Sequence, residues 1–401
     1  MANVQRRTVL VTDGEQRATL AVVRSLGAAG HIVHVSAGAQ RSLAAASRFS
    51  HAEHIVPDAL ADPDRFACEI RTIVTDHSID TIIPMTEPAL LALLPVRDQF
   101  DGVLIPFADA DTFAGISDKQ AVLAAASKVG IAVPAQHVLA DPDAMQSVDL
   151  ASLQYPIVVK PARSVSTGSE DRLKLSVQHA ASEHELRRII DDMDSRAYPL
   201  LLQQRIVGPG IGIFALVWDG TLIGQFAHRR IREKPPSGGI SVYRESIAVD
   251  PALLQMSLAL LAEFRWSGVA MVEYKMDQRT NRPYLMEING RFWGSLQLAI
   301  DSGVDFPNLL MAAATGQNPE PVVQFRTGVR SRWFWGDVDH LVTRLRRSDK
   351  QLSLPDGAPS RWETVRAFFA RHPGDINEIN RRDDMKPFLR ESAQWFQQLL
   401  R

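Results

Sequence analysis

The chain has 401 residues and a single cysteine, Cys68. An intramolecular disulfide and a cysteine-built zinc site are thereby excluded, and a reducing cytoplasm is the expected location. Cys68 itself lies in FACEIRTIV, a helical pattern with no motif beside it, and is expected as a small core residue. No apolar run approaches the ~20 residues that span a bilayer, and the first residues lack the apolar stretch of a secretion signal, so no membrane partner is expected. Charge of one sign is lacking too: 44 Lys+Arg against 46 Asp+Glu leave no basic excess to recommend nucleic acid. The chain also lacks internal repeats and low-complexity tracts. With 45% hydrophobic residues over this length, it is expected to fold as roughly two to three globular domains.

What is present begins as alternating strands and helices. Thr8 to Thr12 reads as a buried strand, Glu15 to Ala29 as a helix stopped by Gly30, and Ile32 to Ser36 as the next strand. The pattern continues with helix Pro63 to Asp76, strand Asp80 to Pro84, helix Pro88 to Phe100 and strand Val103 to Pro106. This is a doubly wound α/β unit. Its first strand–helix joint holds only Asp13-Gly14, without the spaced glycines of a dinucleotide fingerprint, so NAD is not expected. Thr86-Glu87 follows a strand end, where such sheets bind ligands; a carboxylate placed there for the helix dipole is the simpler reading.

The middle of the chain carries cations at strand and helix ends. Ser117-Asp118 caps a helix over Lys119 to Val129. Leu153 to Lys160 is a strand ending in a lysine, followed by a loop with Ser164, Ser166, Thr167, Gly168 and Ser169, which offers hydroxyl and backbone N–H donors to a phosphate. A strand at Leu173 to Val177, a helix at Ser182 to Asp192 and a strand at Leu200 to Val207 come next. Asp219-Gly220 joins β-runs Ile211 to Trp218 and Thr221 to Arg230 as a hairpin. That hairpin ends in His228, Arg229, Arg230 and Arg232 before a Pro/Gly turn, a cluster suited to an anion or to a solvated edge.

Val269 to Met276 and Pro283 to Ile288 form a second hairpin. Symmetric pairing about Thr280 sets Glu273 opposite Glu287, with Asn289 on the same face at the i+2 position. Like charges facing each other destabilise a sheet, so the pair calls for something positive. Two carboxylates and a carboxamide oxygen suit Mg²⁺. Beyond Phe325 the chain is locally basic and mainly helical, and its Trp333, Trp335, Trp362 and Trp395 are expected in a core.

The order of these features, from Ser117 to Asp305, resembles the ATP-grasp superfamily. HRRIREKPPSGGISVYRES and MEINGRFWGSLQLAIDSGVDFP look most like bacterial carboxylate-amine ligases related to the carbamoyl-phosphate synthase ATP-binding domain. The resemblance implies an α/β (α+β) chain with a Rossmann-like pre-ATP-grasp domain at 1–115, an ATP-grasp domain at 116–316 split near 195, and a mainly helical segment at 317–401. It implies ATP and Mg²⁺, or Mn²⁺, as cofactors. Lys119, Lys160 and Ser166 would bind phosphates, and the hinge Gln203, Gln204 and Ile206 would hold adenine. Glu273, Glu287 and Asn289 would ligate metal, with Glu273 and Glu287 counted in the nucleotide site. Arg291, Lys160 and Arg230 would be catalytic. Gln204 departs from the glutamate of many relatives, no acidic ribose ligand follows the hinge, and the lid has Gly168 alone. The implied activity is ATP-dependent ligation of a small-molecule carboxylate to an amine through an acyl phosphate, releasing ADP and phosphate. A bicarbonate-activating enzyme and a non-catalytic ATP-binding regulator are the alternatives. A homodimer is the expected assembly.

Overall fold

The computed structural model describes residues 6–166, 172–355, 357–370 and 372–399. The first unit runs β1 (Thr8–Val11), α1 (Arg17–Ala28), β2 (Ile32–Ala37), β3 (Ala52–Ile55), α2 (Pro63–His77), β4 (Thr81–Ile83) and α3 (Glu87–Leu93). Its strands form a parallel sheet in the order β3-β2-β1-β4. The apolar runs of β1 and β4 are fully buried, as a sheet covered on both faces requires. β3 was not anticipated: AEHI is an edge strand, half-exposed and without an apolar pattern. The expected strand near Val103 shrinks to one bridge between Leu104 and Thr81.

Two helices, α4 (Ala110–Ser117) and α5 (Lys119–Lys128), lead onward. Asp118 separates them and caps α5 by accepting from the backbone of Gln120 and Ala121 at 3.0 and 3.1 Å. A small antiparallel sheet follows, built from β5 (Gln136–Leu139), β6 (Ile157–Pro161), β7 (Gln178–Ala180) and, after α6 (Glu183–Asp191), β8 (Leu200–Gln204). Its order is β5-β8-β6-β7. The strand expected at Leu173 begins later, and Lys174 makes only a bridge to Val165. Leu139, Ile157, Val159, Leu186 and Leu202 give this sheet a core of its own.

The large sheet contains β9 (Gly210–Trp218), β10 (Thr221–Lys234), β11 (Ile240–Ser246) and, after α7 (Pro251–Glu263), β12 (Gly268–Met276) and β13 (Pro283–Asn289). Asp219 and Gly220 turn β9 into β10 with φ of 48° and 76°, the positive pair that a two-residue hairpin requires. Helices α8 (Leu296–Ser302) and α9 (Phe306–Ala314) pack against α1, and one continuous core joins the N-terminal unit to this sheet. The remaining elements are β14 (Arg330–Arg332), α10 (Phe334–Arg346), α11 (Arg361–Phe369), β15 (Asp375–Asn377) and α12 (Lys386–Leu399). The C-terminal segment is therefore not helical alone: β14 and β15 extend the sheet to β13-β12-β9-β10-β11-β14-β15.

Buried ion pairs fasten that segment. Glu378 accepts from Arg17 of α1 at 2.6 Å and from the fully buried Arg244 of β11. Asp384 pairs with Arg24 at 2.8 Å and also accepts from Ser47. Trp335 stacks on Trp395 with ring centres 4.2 Å apart, but Trp362 lies outward, 76% exposed. Cys68 is exposed as well, because the buried face of α2 is set by Phe66, Ile70 and Ile73.

On α12, Glu391 accepts from the Trp333 indole at 2.6 Å while its other oxygen is buried without a partner among the described residues. Burial pushes its carboxyl from the ordinary 4.5 up to about 7, against the pull of the indole N–H. The folded state then holds an extra proton between those two values, so this group's stabilisation is present at low pH and is lost as pH rises toward 7. We expect Glu391→Gln to flatten that part of the pH dependence of urea unfolding, by up to about 1.4 kcal/mol per pH unit. An unchanged slope between pH 5 and 7 would contradict the assignment.

Candidate active site

β12 and β13 pair antiparallel with Glu273 opposite Glu287. Glu287 lines a cleft, and Glu273, on the same face of the sheet, bonds the guanidinium of Arg230 of β10. Arg230 bonds Glu273 with one nitrogen and, with another, Glu233 at 2.8 Å and the Gly239 carbonyl at 3.0 Å. Burial alone would weaken the Arg230 charge, and Glu273 and Glu233 outweigh it and hold its pKa above the ordinary value. Arg232, two residues on, does not join them. Register shifts on either side of it turn the strand, and its guanidinium grips Asp337 of α10 through two bonds of 2.6 Å. Arg229 faces the other way and pairs with Glu245 at 2.7 Å.

Two lysines from outside the large sheet act on Glu287, and Lys119 also lines the cleft. Lys119 is the first residue of α5, and its ammonium donates to Ser164 at 3.0 Å. Lys160 near the end of β6 donates to the Met286 carbonyl at 3.2 Å, tying the small sheet to β13. Both side chains are buried. Burial lowers the Lys160 pKa, with Glu287 acting against it. The two carboxylates are pushed apart: burial raises Glu273, whereas in Glu287 burial is overcome by Lys119 and Lys160, which hold it low. Asn289 donates to Glu287 at 3.2 Å and accepts from Arg291 at 3.2 Å, so Glu287, Asn289 and Arg291 form one chain of contacts.

The N-terminal unit adds a residue that its sequence context leaves ambiguous. Glu87 opens α3 beside the cap Thr86, and it also lines the cleft with Lys119, Ser164, Glu287, Asn289 and Arg291. Burial raises its pKa, and Arg291 and Lys119 oppose that shift. Asp13 at the end of β1 accepts from the Thr86 hydroxyl at 2.9 Å and so fixes this loop. The position after a strand end was the available signal; the neighbourhood of Arg291 was not visible without the fold.

The remaining expected residues lie around the rim. Ser166 is buried and its hydroxyl accepts from the Leu173 backbone N–H at 2.8 Å. Thr167, Gly168 and Ser169 lie outside the described residues. Gln203 turns its amide into the small sheet, donating to Gln136 at 2.8 Å. Gln204 ends β8, Ile206 is buried just beyond it, and the chain then passes under β12. At Gly208, with φ of +152°, a Cβ would lie 1.8 Å from the Met276 carbonyl oxygen, so only glycine permits the crossing.

A family described as ATP-grasp in the biosynthetic pathway with Ter operon matches residues 196–336. Among solved structures, the L-amino acid ligase of Bacillus licheniformis is 17% identical with a TM-score of 0.59, over 78% of this chain and 75% of that one. The biotin carboxylase domain of Hydrogenobacter thermophilus 2-oxoglutarate carboxylase, solved with MgADP and bicarbonate, gives 13% identity and 0.62 over 81% and 74%. The chain has the ATP-grasp fold. N5-carboxyaminoimidazole synthetase of Staphylococcus aureus, complexed with ADP, is another likeness at 13% identity and 0.60, over 81% and 80%. No curated protein matches by sequence. In this ATP-grasp chain the cleft residues come from the N-terminal unit, the small sheet and the large sheet together.

Removing Arg230 leaves Glu273 and Glu233 without the guanidinium that both bind. We expect Arg230→Met to lower unfolding free energy by about 3 kcal/mol in metal-free urea titrations. A loss within experimental error would mean that the carboxylates are balanced by another group.

Proposed function

We propose that the protein is an ATP-dependent ligase that activates a carboxylate as an acyl phosphate and couples it to an amine or amino acid, releasing ADP and phosphate. The observation that carries this reading is a cleft lined by Lys119, Glu287, Asn289 and Arg291, with Glu273 and Lys160 close enough to act on Glu287. Glu273 and Glu287 with the Asn289 oxygen suit Mg²⁺ or Mn²⁺, since two opposed carboxylates are relieved by a divalent cation, which when bound neutralises phosphate charge.

The chain's own residues supply positioning and charge. Lys119 and Lys160 are placed to hold phosphate oxygens, and the fixed guanidinium of Arg291 offsets charge that develops on the transferred group or on the acyl phosphate. Arg230 keeps Glu273 aligned. A carboxylate oxygen attacks the terminal phosphorus and ADP departs; the amine nitrogen then forms the C–N bond while the C–O bond to phosphate breaks. The amine must shed a proton in that second step. Glu87, set beside Arg291 in the cleft, is the group we assign as its acceptor.

A screen of carboxylate and amine pairs reading ADP and phosphate tests the activity; AMP and pyrophosphate as products would refute it. With a productive pair, Glu287→Ala is expected to lower turnover at least ~10²-fold. Glu87→Gln separates the steps. Acyl phosphate trapping by hydroxylamine, a nucleophile that is already a free base near neutral pH, should persist in this variant. Amide formation should fall about 10²-fold. Equal loss of both would remove Glu87 from the proton transfer. The likeness to a biotin carboxylase domain bound to bicarbonate favours a second reading, activation of bicarbonate. ADP release that requires bicarbonate and no organic acid would select it.

A further inference from the structure

Away from the cleft, four histidines converge on the edge of the N-terminal sheet. His34 lies on β2 and His54 on β3, where His54 pairs with Ser36; the i+2 relation of Ser36 to His34 puts both rings on one face. Their rings are parallel, with centres 5.2 Å apart, and His34 Nδ1 meets His54 Nε2 at 2.9 Å. His77, the last residue of α2, tilts over them at 5.2 Å from His34 and 4.5 Å from His54. His51 flanks His34 at 5.1 Å. One ring nitrogen from each of His34, His54 and His77 lies within 4.8 Å of the other two.

A tetrahedral ion with Zn–N bonds of about 2.0 Å places its donors about 3.3 Å apart. One pair here is already inside that spacing, and the third ring belongs to an exposed side chain with freedom to close. A second feature points to a cation: His77 sits in the last turn of a fifteen-residue helix, where the carbonyl ends concentrate negative potential. Nothing in the proposed ligase chemistry uses these rings. We propose that His34, His54 and His77 form a site for a divalent transition metal of the zinc class, clipping the edge strand and the end of α2 to β2. Imidazole nitrogens suit zinc, copper and nickel over Mg²⁺ or Ca²⁺, and water completes the coordination. The ring that donates in the His34–His54 bond moves its proton to its outer nitrogen, so both facing lone pairs become free without a change of charge.

The test titrates Zn²⁺ into the tag-free full chain by calorimetry, with saturating Mg²⁺ to occupy the carboxylate cleft, and follows thermal unfolding in parallel. We expect one Zn²⁺ per chain and a raised unfolding midpoint. His54→Ala and His77→Ala should each weaken binding by at least about tenfold. His184→Ala, which removes an exposed histidine on α6, should bind as the parent does. His77 is exposed at a helix end, so its variant is expected to fold, and circular dichroism verifies this before titration. The proposal is overturned if the parent chain takes up no zinc under these conditions, or if His54→Ala and His77→Ala bind it unchanged.

Discussion

The structure around the cleft depends on a repulsion. Glu273 and Glu287 face each other across two hydrogen-bonded strands, an arrangement that costs free energy in an isolated hairpin. Arg230 from the neighbouring hairpin, Lys119 from a helix start and Lys160 from another sheet turn that cost into an ordered site. The asymmetry of the surroundings matters. Glu287 has both lysines close by and stays low in pKa, whereas burial raises Glu273 against Arg230 and the weaker pull of Lys160. Two carboxylates of the same type thereby differ in their readiness to hold a proton or a cation.

The supporting architecture follows from where charge is buried. The small sheet has a core of its own, although Leu201 of β8 belongs to the main one, and Lys160 on the Met286 carbonyl adds a polar tie to the large sheet. The C-terminal segment is attached differently, by arginines buried against Glu378 and Asp384 and by two short strands that prolong the large sheet. Each of those buried carboxylates is held by several donors, Glu378 by two arginines and Asp384 by Arg24, Ser47 and the Arg48 N–H, which together offset its desolvation. The same economy explains Arg232. Its bidentate bond to Asp337, and its stacking 4.4 Å over Tyr243, make it part of the attachment of α10.

Much of this was readable from residue order. The Glu273–Glu287 register followed from the twofold period of strand side chains about a polar turn, and the start of α5 from the capping chemistry of Asp118. The α/β opening followed from the alternation of apolar runs. Other features carried no local signal. β3 is polar and, as an edge strand, pairs with β2 alone, Trp362 and Cys68 sit off the buried faces of their helices, and the β-bulge that separates the fates of Arg230 and Arg232 leaves no mark in HRRIRE. Glu87 satisfied both a helix-start reading and a ligand-site reading, and sequence had no means of choosing.

By itself, then, the sequence determined most of the longer elements, the pairing of the two glutamates and the identity of the cations available to them, because periodicity, caps and turns act over a few residues. Only the tertiary structure decided which cations arrive. Lys119, Lys160, Arg230 and Glu87 are separated from the β12–β13 hairpin by tens to nearly two hundred residues, and their meeting depends on how three sheets pack. The gathering of His34, His54 and His77 has the same origin: parallel strands and a crossover helix bring together rings that no local spacing relates. Electrostatic interactions act through space and not along the chain, so a charge constellation becomes definite only when the fold sets its distances.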